Sequence, residues 1–236
     1  MALPKVNEVL KFTLTVPSTK QTVRYRPYLV KEEKILLQAF ESEDTEARID
    51  AMCDTLEACI EQDSGIKVRE LATFDLEYMF LKVRSKSVGE SSDIIIKCMH
   101  CGDTTPVSVD LEEVSIEVDD SSFIVDITDS IKVEMMYPTF ERVMKEGDAL
   151  GDSIDSVMGM IVASIKAVHT SDERIETSSL GGGELEEFLD SMTADQLKKI
   201  SNFLEEMPSL KHDVKFDCDH CGKPNELTLK GLSDFF

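Results

Sequence analysis

The sequence lacks any run approaching the ~18 to 20 consecutive apolar residues that span a bilayer, which argues against a membrane-embedded chain. The stretch from Met1 to Phe12 has no basic start followed by an apolar segment, so export is not expected. Positive charge is scarce as well. Twenty-five Lys+Arg stand against 47 Asp+Glu, a net charge of −22, which repels phosphate backbones unless the charge is segregated. It is segregated: residues 1–100 carry 14 basic and 17 acidic side chains, and residues 101–236 carry 11 and 30. The plain meaning of such acidity is a well-solvated surface; the alternative is a docking face for a basic partner.

Signals for catalysis are also missing. Gly181-Gly-Gly183 has neither the lysine nor the flanking strand of a phosphate-binding loop, and reads as a hinge after a polar lead-in from Thr170 to Ser179. No G-x-S-x-G turn occurs, and His169 and His212 stand apart from any nucleophile. No carboxylate spacing singles out an acid/base pair. The expectation is a non-enzymatic protein.

What the chain does have is a pattern that occurs twice. Lys97-Cys-Met-His-Cys-Gly102 and Asp217-Cys-Asp-His-Cys-Gly222 each follow a strand-like segment and precede another. Two thiolates spaced this way can turn toward one ion, and the glycine permits the positive φ that a tight knuckle needs. Cys98, Cys101, Cys218 and Cys221 are therefore the candidate ligands of one structural Zn2+, a metal that accepts four thiolates without a redox demand. His100 or His220 could replace a thiol, although the cysteines already complete a tetrahedron. Cys53 and Cys59 read as packing residues of a helix.

The expected fold class is α+β. Phe12–Val16 and Thr22–Arg26 alternate as a β-hairpin around Pro17-Ser-Thr-Lys20. Two amphipathic helices follow, one with Ile35, Leu36 and Ala39 on a shared face, the next with Ile49, Met52, Cys53, Leu56 and Ile60; a third starts at Phe74. Strands are expected at Ile94–Lys97, Val107–Leu111, Ser115–Val118, Phe123–Ile127 and Ile131–Met136. The second half reads as helical, with one buried helix carrying Ile154, Val157, Met158, Ile161, Val162, Ile165 and Val168. Another helix begins at the capping box Thr193-Ala-Asp-Gln196 and ends before Pro208. The organisation expected is a single domain over 1–236. Within it, 94–111 plus 212–230 form a zinc-ribbon-like module, and 112–211 form a β-then-helical insertion. A shared ion would fasten the end of the chain to its middle and contribute directly to folding.

Three stretches carry a family likeness: Met1-Ala-Leu-Pro-Lys5, the run from Val23 to Leu37 (VRYRPYLVKEEKILL), and the run from Phe74 to Gly89 (FDLEYMFLKVRSKSVG). They resemble the baseplate hub (hub assembly) proteins of T-even-type contractile-tailed bacteriophages. The likeness is most specific over residues 1 to about 105 and is looser beyond Met136, where the second knuckle and Leu232–Phe236 support it. The resemblance implies a structural or chaperone-like assembly factor acting in the host cytoplasm during assembly, and leaves open whether it stays in the virion tail baseplate. Its implied partners are other phage tail or baseplate hub proteins, the tape-measure protein among them, with no nucleic acid and no membrane.

The competing reading is a zinc-ribbon nucleic-acid-binding or transcription regulatory protein. Such domains carry a basic stripe. Here Lys211, Lys215, Lys223 and Lys230 are balanced by Asp213, Asp217, Asp219 and Glu226. The basic residues Arg24, Arg26, Lys31 and Lys34 cluster instead near the first hairpin. The Leu232 and Phe235-Phe236 ending either packs on the core or anchors a partner.

Overall fold

The computed structural model describes residues 10–42, 44–118, 123–145, 153–181 and 183–235. Met1–Lys5, Gly182 at the centre of the expected hinge, and Phe236 lie outside the described residues. The chain divides into two compact units. The first comprises 1–68, 74–118 and 209–236, and the second 69–73 and 119–208.

The first unit opens with the expected hairpin, β1 (Phe12–Thr15) against β2 (Thr22–Tyr25), with Phe12 opposite Tyr25. Helices α1 (Val30–Glu41), α2 (Thr45–Cys59) and α3 (Thr73–Ser87) follow. The Glu32 carboxylate accepts from the Leu29 amide at 2.8 Å and from Arg26 at 2.8 Å, satisfying a free donor at the start of α1. Asp44 does the same for α2, accepting from the Ala47 amide. One expectation about α1 needs correcting. Leu36 faces inward but Ile35 is half exposed, because the buried stripe runs through Glu32 and Leu36 rather than through Ile35. The core here is Leu56, Met79, Leu81 and Val83, with Cys53 fully buried among apolar residues as expected.

After α3 come β3 (Ser91–Lys97) and β4 (Thr104–Asp110), an antiparallel hairpin with Lys97 opposite Thr104. Pro106 lies inside β4, where its missing N–H would break a ladder. The strand tolerates it because Pro106 is opposite Ile95 at a non-hydrogen-bonded position, so the vacant donor faces the outer edge. Lys82 of α3 is buried, and its ammonium donates to the carbonyls of Leu111 (2.9 Å) and Glu112 (2.8 Å), holding the segment that leaves the hairpin. Ser115–Val118 is not a strand; it offers a single bridge, from Ser115 to Lys211.

The second unit is built on a four-stranded antiparallel sheet ordered β5 (Ile124–Asp126), β6 (Lys132–Met135), β7 (Ile165–His169), β8 (Arg174–Glu176), with α4 (Phe140–Lys145) and α5 (Ile154–Ser164) between β6 and β7. The single long helix expected over Ile154–Val168 is therefore wrong. It stops at Ser164, and Ile165–Val168 pair with β6 and β8 in the middle of the sheet. Its start is not buried either, Ile154 being 83% exposed. The polar Thr170–Ser179 stretch likewise contains β8, an edge strand held by charge: Glu134 accepts from Lys166 (2.9 Å), His169 (2.9 Å) and Arg174 (2.8 Å). Those three partners hold the Glu134 carboxyl well below the usual range, Arg174 first.

Helix α6 (Glu184–Asp190) starts directly after Gly183, whose positive φ of 91° ends the glycine run. Helix α7 (Ala194–Glu205) carries the expected capping box, Thr193 accepting from the Gln196 amide and Gln196 from the Thr193 amide. Val133, Met135, Ile161, Ile165, Leu189 and Ile200 form one core cluster under these elements. The chain then returns to the first unit through β9 (Lys211–Asp217) and β10 (Pro224–Lys230), again an antiparallel hairpin.

Candidate metal centre

The two cysteine motifs sit at the turns of equivalent hairpins. Cys98 and Cys101 follow β3, Cys218 and Cys221 follow β9, and the two registers match, Lys97 opposite Thr104 and Asp217 opposite Pro224. Each turn closes through the same pair of backbone bonds. In the first, Cys98 N donates to Asp103 O (2.8 Å) and Gly102 N to Cys98 O (3.0 Å); in the second, Cys218 N donates to Lys223 O (3.0 Å) and Gly222 N to Cys218 O (2.9 Å). Gly102 and Gly222 have φ of 81° and 65°, the left-handed conformation anticipated for the residue after each second cysteine.

These turns bring the four cysteines together although 123 residues separate Cys98 from Cys221. All four sulfur atoms lie within 4.8 Å of one another. Cys98 Sγ is 3.8 Å from Cys221 Sγ, and Cys101 Sγ is 3.6 Å from Cys218 Sγ. A disulfide would need about 2.05 Å. A tetrahedron of sulfurs at ~2.3 Å from a central ion has edges of about 3.8 Å, so the spacing fits a metal and not a covalent bond. Cys98 and Cys218 are buried at 2% exposure each, while Cys101 and Cys221 form the outer side.

A second layer of contacts ties each knuckle to the opposite hairpin. Thr105 of β4 reaches across: its hydroxyl donates to Cys218 Sγ (3.7 Å) and accepts from the Asp219 amide (3.3 Å). Asn225 of β10 reaches the other way, its Oδ1 accepting from the Met99 amide at 3.0 Å. Thr105 and Asn225 occupy equivalent positions in their hairpins, and both are buried. Sequence reading missed this pair. The signal available was a polar residue at the same place after each glycine, which carries no meaning until the hairpins are paired.

The electrostatics favour thiolate on the inner pair. Burial opposes ionisation of Cys98, but the Cys101 and His100 amides and the Asn225 side chain outweigh it and bring the thiol down to about 6. Cys218 is lowered too, by the Cys221 amide first. Cys101 moves the opposite way: the Asp103 amide favours its thiolate, yet desolvation and the three neighbouring sulfurs push it up to about 12. Sulfurs this close compete for negative charge, and a cation among them removes the competition.

The histidines stay out of the cluster. His100 Nε2 lies 3.1 Å from Pro224 O, and His220 is exposed; neither belongs to the four-residue group. His169 is taken up by Glu134, and His212 lies within β9. Burial raises the Cys59 thiol to about 11, which leaves it unreactive. Lys215 on the second hairpin is paired with Glu226 at 3.0 Å. Arg26 is also committed, to Glu32 and to the Ala58 carbonyl at 2.9 Å, which shrinks the basic cluster expected near the first hairpin. Leu232 and Phe235 of the C-terminal segment are buried, and Phe235 O accepts from Ser92 Oγ at 2.6 Å.

Among the described residues no helix is long and apolar enough to cross a membrane. No solved structure matches the chain. The baseplate hub assembly protein gp26 of Enterobacteria phage T4 is 24% identical to it over 169 residues, which cover 71% of this chain and 74% of that protein. A family model described as T4 bacteriophage base plate protein matches residues 9–236, and the chain belongs to that family.

Proposed function

We propose that the chain is a non-enzymatic structural or assembly protein of a phage tail baseplate hub, held in shape by one structural Zn2+ and acting through contacts with other tail or hub proteins. The observation that carries the reading is the family match over residues 9–236, and the name of the phage T4 relative, a hub assembly protein, supports the assembly role. Cys98, Cys101, Cys218 and Cys221 are the proposed ligands. Four thiolates leave no open coordination position for a substrate or activated water, so the ion serves architecture rather than chemistry. It clamps two hairpins that are each too small to be stable alone. In this reading 94–111 plus 212–230 form the ribbon-like module, and the chain between them is an insertion carried by it.

The test is purification of tagged protein from phage-infected cells, with mass spectrometry of what accompanies it and metal analysis of the protein itself. The expected result is one zinc per chain and co-purifying tail or hub subunits, the tape-measure protein among the candidates. Recovery of no tail protein would overturn the assembly role. Tight DNA binding that falls steeply with salt would replace it with the nucleic-acid reading.

A further inference from the structure

The outer edge of β3 has unused pairing capacity. On its inner side β3 is bonded to β4, and among the described residues no third strand joins that sheet. Two bonds bracket the hairpin, Leu111 N to Glu90 O and Cys98 N to Asp103 O. Counting in from either one, the even-numbered residues of β3 point their N–H and C=O groups toward β4, and Asp93, Ile95 and Lys97 point theirs outward. Those outward groups meet no partner among the described residues. The side chains of the same three residues are exposed, Ile95 at 76%, while Ser92, Ile94 and Ile96 are buried. The edge borders an open groove of about 600 Å³ whose other lining includes Leu227, itself 39% exposed.

An exposed edge centred on an isoleucine is a template for another strand. Charged side chains usually guard such edges, and Asp93 and Lys97 could be guards. Their placement argues otherwise. They carry opposite signs, lie symmetrically about Ile95, and have no ion-pair partner among the described residues. Run antiparallel against itself about Ile95, the segment sets Ile95 opposite Ile95, Asp93 opposite Lys97 and Lys97 opposite Asp93. All three pairs fall on the outward-pointing positions, so backbone bonds and charge pairs are satisfied in the same register. A slip of two residues loses both charge pairs.

We infer that this edge is a homodimer interface, in which two copies of the chain join β3 to β3 about a two-fold axis at Ile95 and form a continuous β4-β3-β3-β4 sheet. The contact is isologous, as two-fold symmetry requires, and it closes, so it yields a dimer rather than a fibre. A copy seated on the edge enters the groove and covers Ile95 and Leu227.

Sedimentation equilibrium of the purified full chain across about 1–100 µM tests this, since weak edge pairing falls in that range. The wild type is expected to dimerise. Because symmetry makes each substitution alter two cross-strand pairs, Asp93→Lys and Lys97→Asp should each weaken the dimer about tenfold, and the double variant should recover wild-type affinity. A wild type that stays monomeric throughout, single variants with unchanged dimer affinity, or a double variant no better than either single one would each overturn the inference. Lys97 adjoins Cys98, so a measurement without substitutions stands beside these. Amide exchange at Asp93, Ile95 and Lys97 should slow as protein concentration rises, while Ile94 and Ile96 exchange alike at all concentrations. Equal behaviour of the two sets would also overturn it.

Discussion

The sheet of the second unit rests on an apolar cluster running from Val133 and Met135 through Ile161 and Ile165 to Leu189 and Ile200. The two cysteine hairpins of the first unit have two strands each among the described residues, and they bury a few apolar side chains apiece, Ile94, Ile96 and Val109 in one, Val214 and Leu229 in the other. A two-stranded hairpin is marginal in water. The difference sets two sources of order side by side: apolar area beneath a sheet, and four cysteines gathered at the turns of two small hairpins.

Removing the proposed metal clamp breaks this comparison most directly. In Cys218→Ser, or after chelation, amide protection over 91–110 and 211–230 should collapse while protection over 161–168 changes little. Structural zinc sites contribute on the order of 10 kcal/mol in isolated domains, so this is the largest effect expected. Uniform loss across both regions in exchange mass spectrometry would mean that the contrast is false. The converse substitution is Ile200→Ala, which opens a cavity in the second unit and should cost about 2–5 kcal/mol in denaturant unfolding. Under the proposed function, zinc content should stay at one per chain.

Asn225→Ala tests the bracing between knuckles. It removes the acceptor of the Met99 amide and should weaken zinc about 10- to 100-fold in chelator competition, since groups behind the ligands orient them. Unchanged affinity would show that the sulfurs alone set the geometry. The smallest effect expected is at Glu77, whose carboxyl is raised to about 6 by burial against a weaker opposing bond from the Leu232 amide. A group with a raised folded pKa binds more protons when folded, so its contribution to stability falls as pH rises from about 4.5 to 6. Glu77→Gln should flatten that slope and stabilise the protein at pH 7 by roughly 1–2 kcal/mol, read as the difference from wild type in thermal unfolding.

What was legible in the sequence was local. Cys-x-His-Cys-Gly signals a turn and two candidate ligands within a few residues, and Thr193 with Gln196 marks a helix start by chemistry alone. The boundary between α5 and β7 was not legible, because Ile161, Ile165 and Val168 suit a helical period and a buried strand alike. Pairing of Ile165–His169 with β6 and β8 decides it, and that information lies in other segments. The strand β8 hid for the opposite reason: Arg174 and Glu176 look like loop residues until Glu134 is placed beside them. In the candidate site the four sulfurs could be named in advance, and the Thr105 and Asn225 contacts could not.

The reciprocal reach of Thr105 and Asn225 has a consequence for synthesis on the ribosome. Neither knuckle is complete without a residue from the other hairpin, and the sequence separation between Met99 and Asn225 is 126. At roughly 5–20 residues per second the earlier hairpin waits about 6–25 s for its counterpart, with its thiols open to any metal or oxidant nearby. The nascent polypeptide thus passes through a vulnerable interval during which the entire intervening segment emerges first, and the rate of translation becomes a variable in how much correctly assembled protein the cell obtains.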